Sequence, residues 1–295
     1  MGVANSGQRF GFLLRVYDTD VMKSSQMRSG TRSHVIVSIG GIDPGAGAGL
    51  GRDLLTVMAL GAAVRMVGTA WAEQGAGGVR SIESRAPAAL EDAVRWALRE
   101  PGPDAVKVGM VPGPAHAEAV LRALAGFDGP IVVDPVLGAS SGGALWGGPL
   151  DDLLGPQGLL GLLRRATLAT PNAQEAARLT GRPVATLGDA AAAAADLHRA
   201  GVAAVLVKGG HLGDEVAAPG VITDVLVSAA GERRYPRPRL PGRSPRGTGC
   251  ALSSALAVEL ARGRPLELAI EQATGWLAAR IAGAVEVDGE LRLPD

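Results

Sequence analysis

Between residues 34 and 207, short apolar runs alternate with stretches in which apolar residues recur every three or four positions. The runs at 34–39, 63–69, 105–108, 131–133, 166–169 and 202–207 predict strands. The stretches 48–60, 87–99, 114–125, 151–164, 173–179 and 189–199 predict helices. Pro87 opens its helix where a missing N–H is harmless, and Gly61 follows the first helix as a stop. The strand runs are continuously apolar, as when both faces of a sheet are covered. Strands and helices alternating at this spacing predict an α/β fold: a doubly wound, mostly parallel sheet with helices on both faces. After Gly210 the rhythm changes. Residues 221–228 and 233–237 flank a turn at 229–232 and predict an antiparallel hairpin near the C-terminal edge, followed by helices over 251–261 and 266–284. The alanine run at 190–195 continues a helix, alanine having the highest helix propensity.

Residues 1–33 do not share this pattern. Their apolar stretch, Arg9-Phe10-Gly11-Phe12-Leu13-Leu14-Arg15, is too short and too interrupted by arginine for a signal peptide. The expectation is a disordered leader or a start codon placed too early, Met22 and Met27 being alternative starts. Residues 34–295 would then form a single domain. No run of 18 apolar residues occurs, so no membrane-spanning helix is expected. Lys and Arg total 29, as do Asp and Glu, so the chain has no bulk charge to coat nucleic acid or an anionic membrane. One cysteine forbids an intrachain disulfide, and with four scattered histidines no structural zinc site is expected. A lone cysteine and no secretory signal suggest the cytoplasm.

In open α/β sheets, ligands bind beyond the carboxyl ends of the strands. The residues after the predicted strands are polar or glycine: the run from Gly40 to Gly49, Glu73-Gln74, Gly109-Met110, Asp134-Pro135, Thr170-Pro171-Asn172 and Lys208-Gly209-Gly210-His211. The first run is not a dinucleotide fingerprint, because Gly45-x-Gly47-x-Gly49 has the wrong spacing and no P-loop occurs. It reads either as a turn needing positive φ or as a loop that cradles a substrate. Asp53, one turn beyond, suits the positive end of a helix. Arg246-Gly247-Thr248-Gly249-Cys250 is a glycine turn running into a small-residue helix, whose first N–H groups make an anion site. A helix N-terminus lowers the pKa of a thiol such as Cys250, and bound phosphates raise it. Asn172 with Glu175 is a capping pattern, and a carboxylate there can also hold Mg²⁺ through water.

Taken in order, these motifs resemble the hydroxymethylpyrimidine/phosphomethylpyrimidine kinases of thiamine biosynthesis, within the ribokinase-like superfamily. The resemblance runs from about residue 34 to 284. It rests on Gly41-Ile42-Asp43-Pro44 with Asp53, Gln74, Asp104-Ala105-Val106-Lys107-Val108-Gly109-Met110, Asp134-Pro135-Val136, Thr170-Pro171-Asn172 with Glu175, Lys208-Gly209-Gly210-His211 and Gly247-Thr248-Gly249-Cys250. It implies an ATP- and Mg²⁺-dependent kinase that phosphorylates 4-amino-5-hydroxymethyl-2-methylpyrimidine and then its monophosphate. Gly247, Thr248 and Gly249 would form the anion hole and Cys250 the base. Lys208 and Asp134 would lie near the nucleotide phosphates. Glu175 and Asn172 would organise Mg²⁺ through water. Gly41, Asp53, Gln74 and Met110 would line the pyrimidine pocket. The resemblance also suggests a homodimer. Arg246 stands where the family commonly has His, Gly75 where it has Asn, and Ser140-Ser141-Gly142-Gly143 where it has Lys-Ser-Gly-Asp. Trp71 and Glu73 replace small residues. The rival readings are a pyridoxal-type vitamin kinase of the same superfamily and a pyrimidine-binding homologue without turnover.

Overall fold

The computed structural model describes residues 33–295 except 76–77, 139–142, 149–154, 156–157, 213–219, 241, 243–244, 288 and 295. The expectations for the leader, for Ser140 to Gly142 and for the start of the helix at 151 fall outside the described residues.

The sheet core is built from the apolar runs: β1 (Val35–Ile42), β2 (Ala63–Gly75), β4 (Ala105–Val108), β5 (Ile131–Val133), β6 (Leu168–Ala169) and β7 (Ala204–Val207). These six are parallel, in the order β2-β1-β4-β5-β6-β7. Alternation along each strand divides the core between two faces. Val37, Ile39, Val106, Val108, Val133 and Val205 face one layer. Ile36, Ala105, Val132, Leu168, Ala204 and Leu206 face the other. The first layer contains α2 (Pro87–Leu98), α3 (Pro114–Ala123), α4 (Leu159–Arg165), α5 (Ala173–Thr180) and α6 (Leu187–Arg199). In α2, Leu90, Val94 and Ala97 form the buried stripe, a spacing that keeps them on one helical face. The second layer contains α1 (Gly49–Ala59), α7 (Thr248–Ala261) and α8 (Leu266–Ala282). Every residue of α7 from Ala251 to Glu259 is buried, which explains why that helix is apolar all round.

β8 (Val221–Ser228) and β9 (Gly231–Pro238) form the expected antiparallel hairpin at the β7 edge. Two hairpins were not foreseen. β2 runs on to Gly75 and pairs antiparallel with β3 (Gly78–Ser84). Gln74 therefore sits inside a strand arm, paired with Val79, and not in a loop after the strand. No local pattern marks this arm, because its buried residues are the small Ala70 and Ala72 while the large apolar Trp71 is exposed. Near the C-terminus β10 (Val285–Val287) pairs with β11 (Glu290–Arg292).

The chain leaves β1 for β2 on one side and later returns to β4 on the other. Their carboxyl ends therefore open at a switch point, where a crevice forms.

Candidate active site

A cavity of about 830 Å³ opens over the strand ends. One end is walled by Gly41, Ala72, Gln74, Met110, Val136 and Leu145. Its middle carries Asp134, Asn172, Glu175, Lys208 and the turn from Gly247 to Cys250. Ile222, Leu277 and Ile281 also line the cavity, together with Arg237 and Arg239 of the neighbouring strand and the chain beyond it. The size and the few convergent polar groups fit a small-molecule site.

Each wall is set by local structure. Past β1, Asp43 closes the glycine loop on itself: Oδ1 accepts from the Gly45 N–H (2.9 Å) and Oδ2 from the Ala48 N–H (3.1 Å). Past β4, the Met110 carbonyl accepts from Thr69 Oγ1 (2.9 Å), which ties the pocket wall to β2. Past β6 and β7, the Lys208 N–H donates to the Pro171 carbonyl (2.8 Å) and brings Asn172 and Lys208 side by side.

The anion turn is the first turn of α7, three residues ahead of the expected start. Gly247 is its N-cap at φ +77, with no side-chain cap, so the first N–H groups are left for a ligand. A Cβ on Gly247 would lie 2.2 Å from the Gly47 carbonyl oxygen, so the two glycine loops touch backbone to backbone. Cys250 is half-buried in this turn. Burial pushes its thiol up to about 11. Lys107 pulls against the rise, while Asp53 and Asp134 add to it. The lowering expected from the helix terminus is outweighed by desolvation.

Lys208 Nζ donates to Asp134 Oδ1 (2.7 Å) and lies 4.0 Å from Glu175 Oε2. Asp134 also accepts from Thr170 Oγ1 (3.2 Å) and Ser253 Oγ (3.4 Å). Burial alone would lower the Lys208 pKa, but Asp134 and Glu175 raise it, so the ammonium stays charged. The capping reading of Asn172 and Glu175 is realised. Asn172 Oδ1 accepts from the Glu175 N–H (2.9 Å) and Glu175 Oε2 from the Asn172 N–H (2.7 Å). The same carboxylate lines the cavity, and burial pushes it up to about 7 against the pull of Lys208. No cluster of three His, Cys, Asp or Glu that could hold a metal occurs among the described residues.

One expected pocket residue lies elsewhere. Asp53 is fully buried and is not part of the cavity wall. It is held beneath the wall by Lys107, Ser38 and Ser254. Lys107, which carries no expected role within its motif, does reach the cavity; a lysine inside an apolar strand run is the signal that marks it. Arg246 donates to Asp43 Oδ2 (3.1 Å) and to both oxygens of Glu290 (3.1 and 3.0 Å), so the unforeseen C-terminal hairpin is clipped to both glycine loops.

A doubly wound sheet with an uncapped anion turn facing a buried lysine–carboxylate pair is the frame of a small-molecule phosphotransferase. The sequence profile of the family described as phosphomethylpyrimidine kinase matches residues 43–293, and the chain belongs to that family. It is 36% identical over 256 residues to the hydroxymethylpyrimidine/phosphomethylpyrimidine kinase of Streptomyces coelicolor, covering 86% of this chain and 91% of that one. The crystal structure of phosphomethylpyrimidine kinase from Clostridium difficile superposes with a TM-score of 0.70 at 28% identity, over 84% of this chain and 100% of that one. The pyridoxal kinase from Staphylococcus aureus in complex with AMP-PCP and pyridoxal gives a TM-score of 0.76 at 23% identity, over 89% of this chain and 93% of that one, and so shares the fold. The membership makes this chain a kinase. Among the described residues no helix is long and apolar enough to cross a membrane.

Proposed function

We propose that this kinase transfers the γ-phosphate of ATP to the hydroxymethyl group of 4-amino-5-hydroxymethyl-2-methylpyrimidine and then to the resulting monophosphate. The observation that carries this reading is the union, in one cavity, of the open N–H turn Gly247 to Cys250, the Lys208–Asp134 pair and the Gln74 amide at an otherwise apolar end. A primary amide both accepts and donates, and so matches the exocyclic amine and adjacent ring nitrogen of the aminopyrimidine. The turn and Lys208 would carry the charge of the transferring phosphoryl group. Cys250 Sγ, as thiolate, would take the alcohol proton as the alcohol oxygen bonds to phosphorus and the bond to the ADP leaving oxygen breaks. Mg²⁺ fits the donor set only as a largely hydrated ion. Glu175 is a single carboxylate in the cap beside the cavity, so phosphate oxygens and water would supply the other ligands. Bound Mg²⁺ would neutralise charge on the phosphates.

The test is ADP release measured with the aminopyrimidine, its monophosphate and pyridoxal. Turnover of the first two above pyridoxal supports the reading. A preference for pyridoxal replaces it with the vitamin-kinase reading, and no turnover with any of them leaves a binding protein. Cys250→Ala is expected to cut turnover about 10²–10⁴-fold, the usual scale for loss of a general base. A rate near wild type would reduce the thiol to packing.

A further inference from the structure

Two lysines reach the cavity. Lys208 belongs with the phosphate-facing groups, whereas Lys107 has no part in the transfer described above. It is the third residue of β4 and is almost fully buried, at 1% exposure. Its Nζ donates to both oxygens of Asp53, at 3.0 and 2.8 Å. The same carboxylate accepts from Ser38 Oγ on β1 (2.6 Å) and Ser254 Oγ on α7 (2.9 Å). Four hydrogen bonds thus saturate Asp53 and join β1, α1, β4 and α7.

A buried ion pair is a poor way to add stability, because desolvation offsets the attraction and apolar side chains could fill the same space. Its placement suggests another use. Ser254 follows Cys250 by four residues on α7, so the two lie one turn apart on the same helical face. Lys107 and Cys250 both line the cavity. Gly109 lets the ammonium rest against the backbone past β4: a Cβ there would lie 2.6 Å from Nζ, which Asp53 pins in place.

We propose that Lys107 and Asp53 are a positioning pair for phosphoryl transfer: the ammonium is a fixed positive charge on the cavity wall that Cys250 shares, and the carboxylate locks that ammonium while anchoring, through Ser254, the helix that carries the thiol. The proposal rests on the reading of Cys250 as base. A half-buried thiol whose pKa is raised acts as a base only when something nearby favours its thiolate. The groups around it are Lys107 from β4, Asp53 from α1, Asp134 past β5, Lys208 past β7 and the Gly49 backbone at the start of α1. Lys107 favours the thiolate; the two aspartates oppose it. Burial alone would lower the Lys107 pKa, but Asp53, Cys250 and Asp134 together raise it, so Lys107 stays charged and does not compete as a base.

Cys250 is the only cysteine of the chain, so iodoacetamide alkylation of the nucleotide-free full-length protein reads this one thiol. At pH 9, below the wild-type midpoint, Lys107→Met is expected to alkylate about three- to tenfold more slowly, because less thiolate is present. Asp53→Asn is expected to alkylate faster. A purely structural role would loosen the turn in both variants and speed both. An unchanged or faster rate in Lys107→Met therefore overturns the proposal. If that variant does not fold, Ser254→Ala cuts the tie between Asp53 and α7. It is expected to lower kcat for ADP release several-fold with KM nearly kept; an unchanged kcat overturns the proposal. Cys250→Ala, assayed for ADP release, tests the base separately. If that variant stays active while the alkylation rates shift in opposite directions, the electrostatic pair stands and the base reading falls.

Discussion

Replacing Gly247 by alanine should separate phosphoryl transfer from folding. Gly247 holds φ +77, and its added Cβ would lie 2.2 Å from the Gly47 carbonyl oxygen and 3.1 Å from Arg52 Cγ. The left-handed backbone costs a non-glycine residue about 1–2 kcal/mol. For a domain of this size that lowers Tm by roughly 2–8 °C. The contact adds a displacement. Ordinary van der Waals separation begins at 3.4 Å, so the two loops must part by about 1.2 Å (3.4 minus 2.2). A shift of about 1 Å in a positioning group costs on the order of 10²-fold in rate. Gly263 is the control. It closes α7 at φ +73 with nothing within 4 Å of its would-be Cβ, so Gly263→Ala carries the backbone cost without the collision. Melting and steady-state ADP release are measured on both variants. The expectation is a small loss of Tm in Gly263→Ala and a larger one in Gly247→Ala, which adds the collision, with kcat down about a hundredfold in Gly247→Ala alone. If Gly247→Ala turns over like Gly263→Ala, contact between the two loops does not position the phosphate.

Gln74→Leu should weaken use of the aminopyrimidine about ten- to a hundredfold, the equivalent of about 1–3 kcal/mol for unmet polar groups, and affect pyridoxal much less; equal losses in kcat/KM for both would remove the amide pairing. Glu175→Gln keeps an acceptor for the cap, so it should raise the Mg²⁺ needed for half-maximal rate with little change in melting. An unchanged Mg²⁺ titration with earlier melting would leave Glu175 a cap and nothing more. Glu290→Gln removes the charge that Arg246 meets across the C-terminal hairpin, at a cost of about 1–3 kcal/mol for a charge-assisted bond. Tm should fall and KM for ATP should rise several-fold, with kcat nearly kept; a variant with unaltered KM and Tm would show that the clip is idle.

Most of the sheet could be read from local pattern, because a strand covered on both faces must be apolar at every position and a helix on its surface must repeat every 3.6 residues. The runs that became β1, β4, β5 and β7 needed no partner to be recognised. The same holds for the turn at Gly247 and the cap at Asn172, whose chemistry lies within a few consecutive residues. The arm of β2 and β3 was hidden because one face is exposed and its Ala70 and Ala72 are too small to mark a core. Asp53 and Lys107 are 54 residues apart, and Arg246 and Asp43 are 203 apart. Nothing local distinguishes an aspartate that lines a pocket from one that lies buried beneath it. Only folding decides which charges meet, and burial then decides the protonation of Cys250 and Glu175, because desolvation depends on every element packed around a group and on no single stretch of chain.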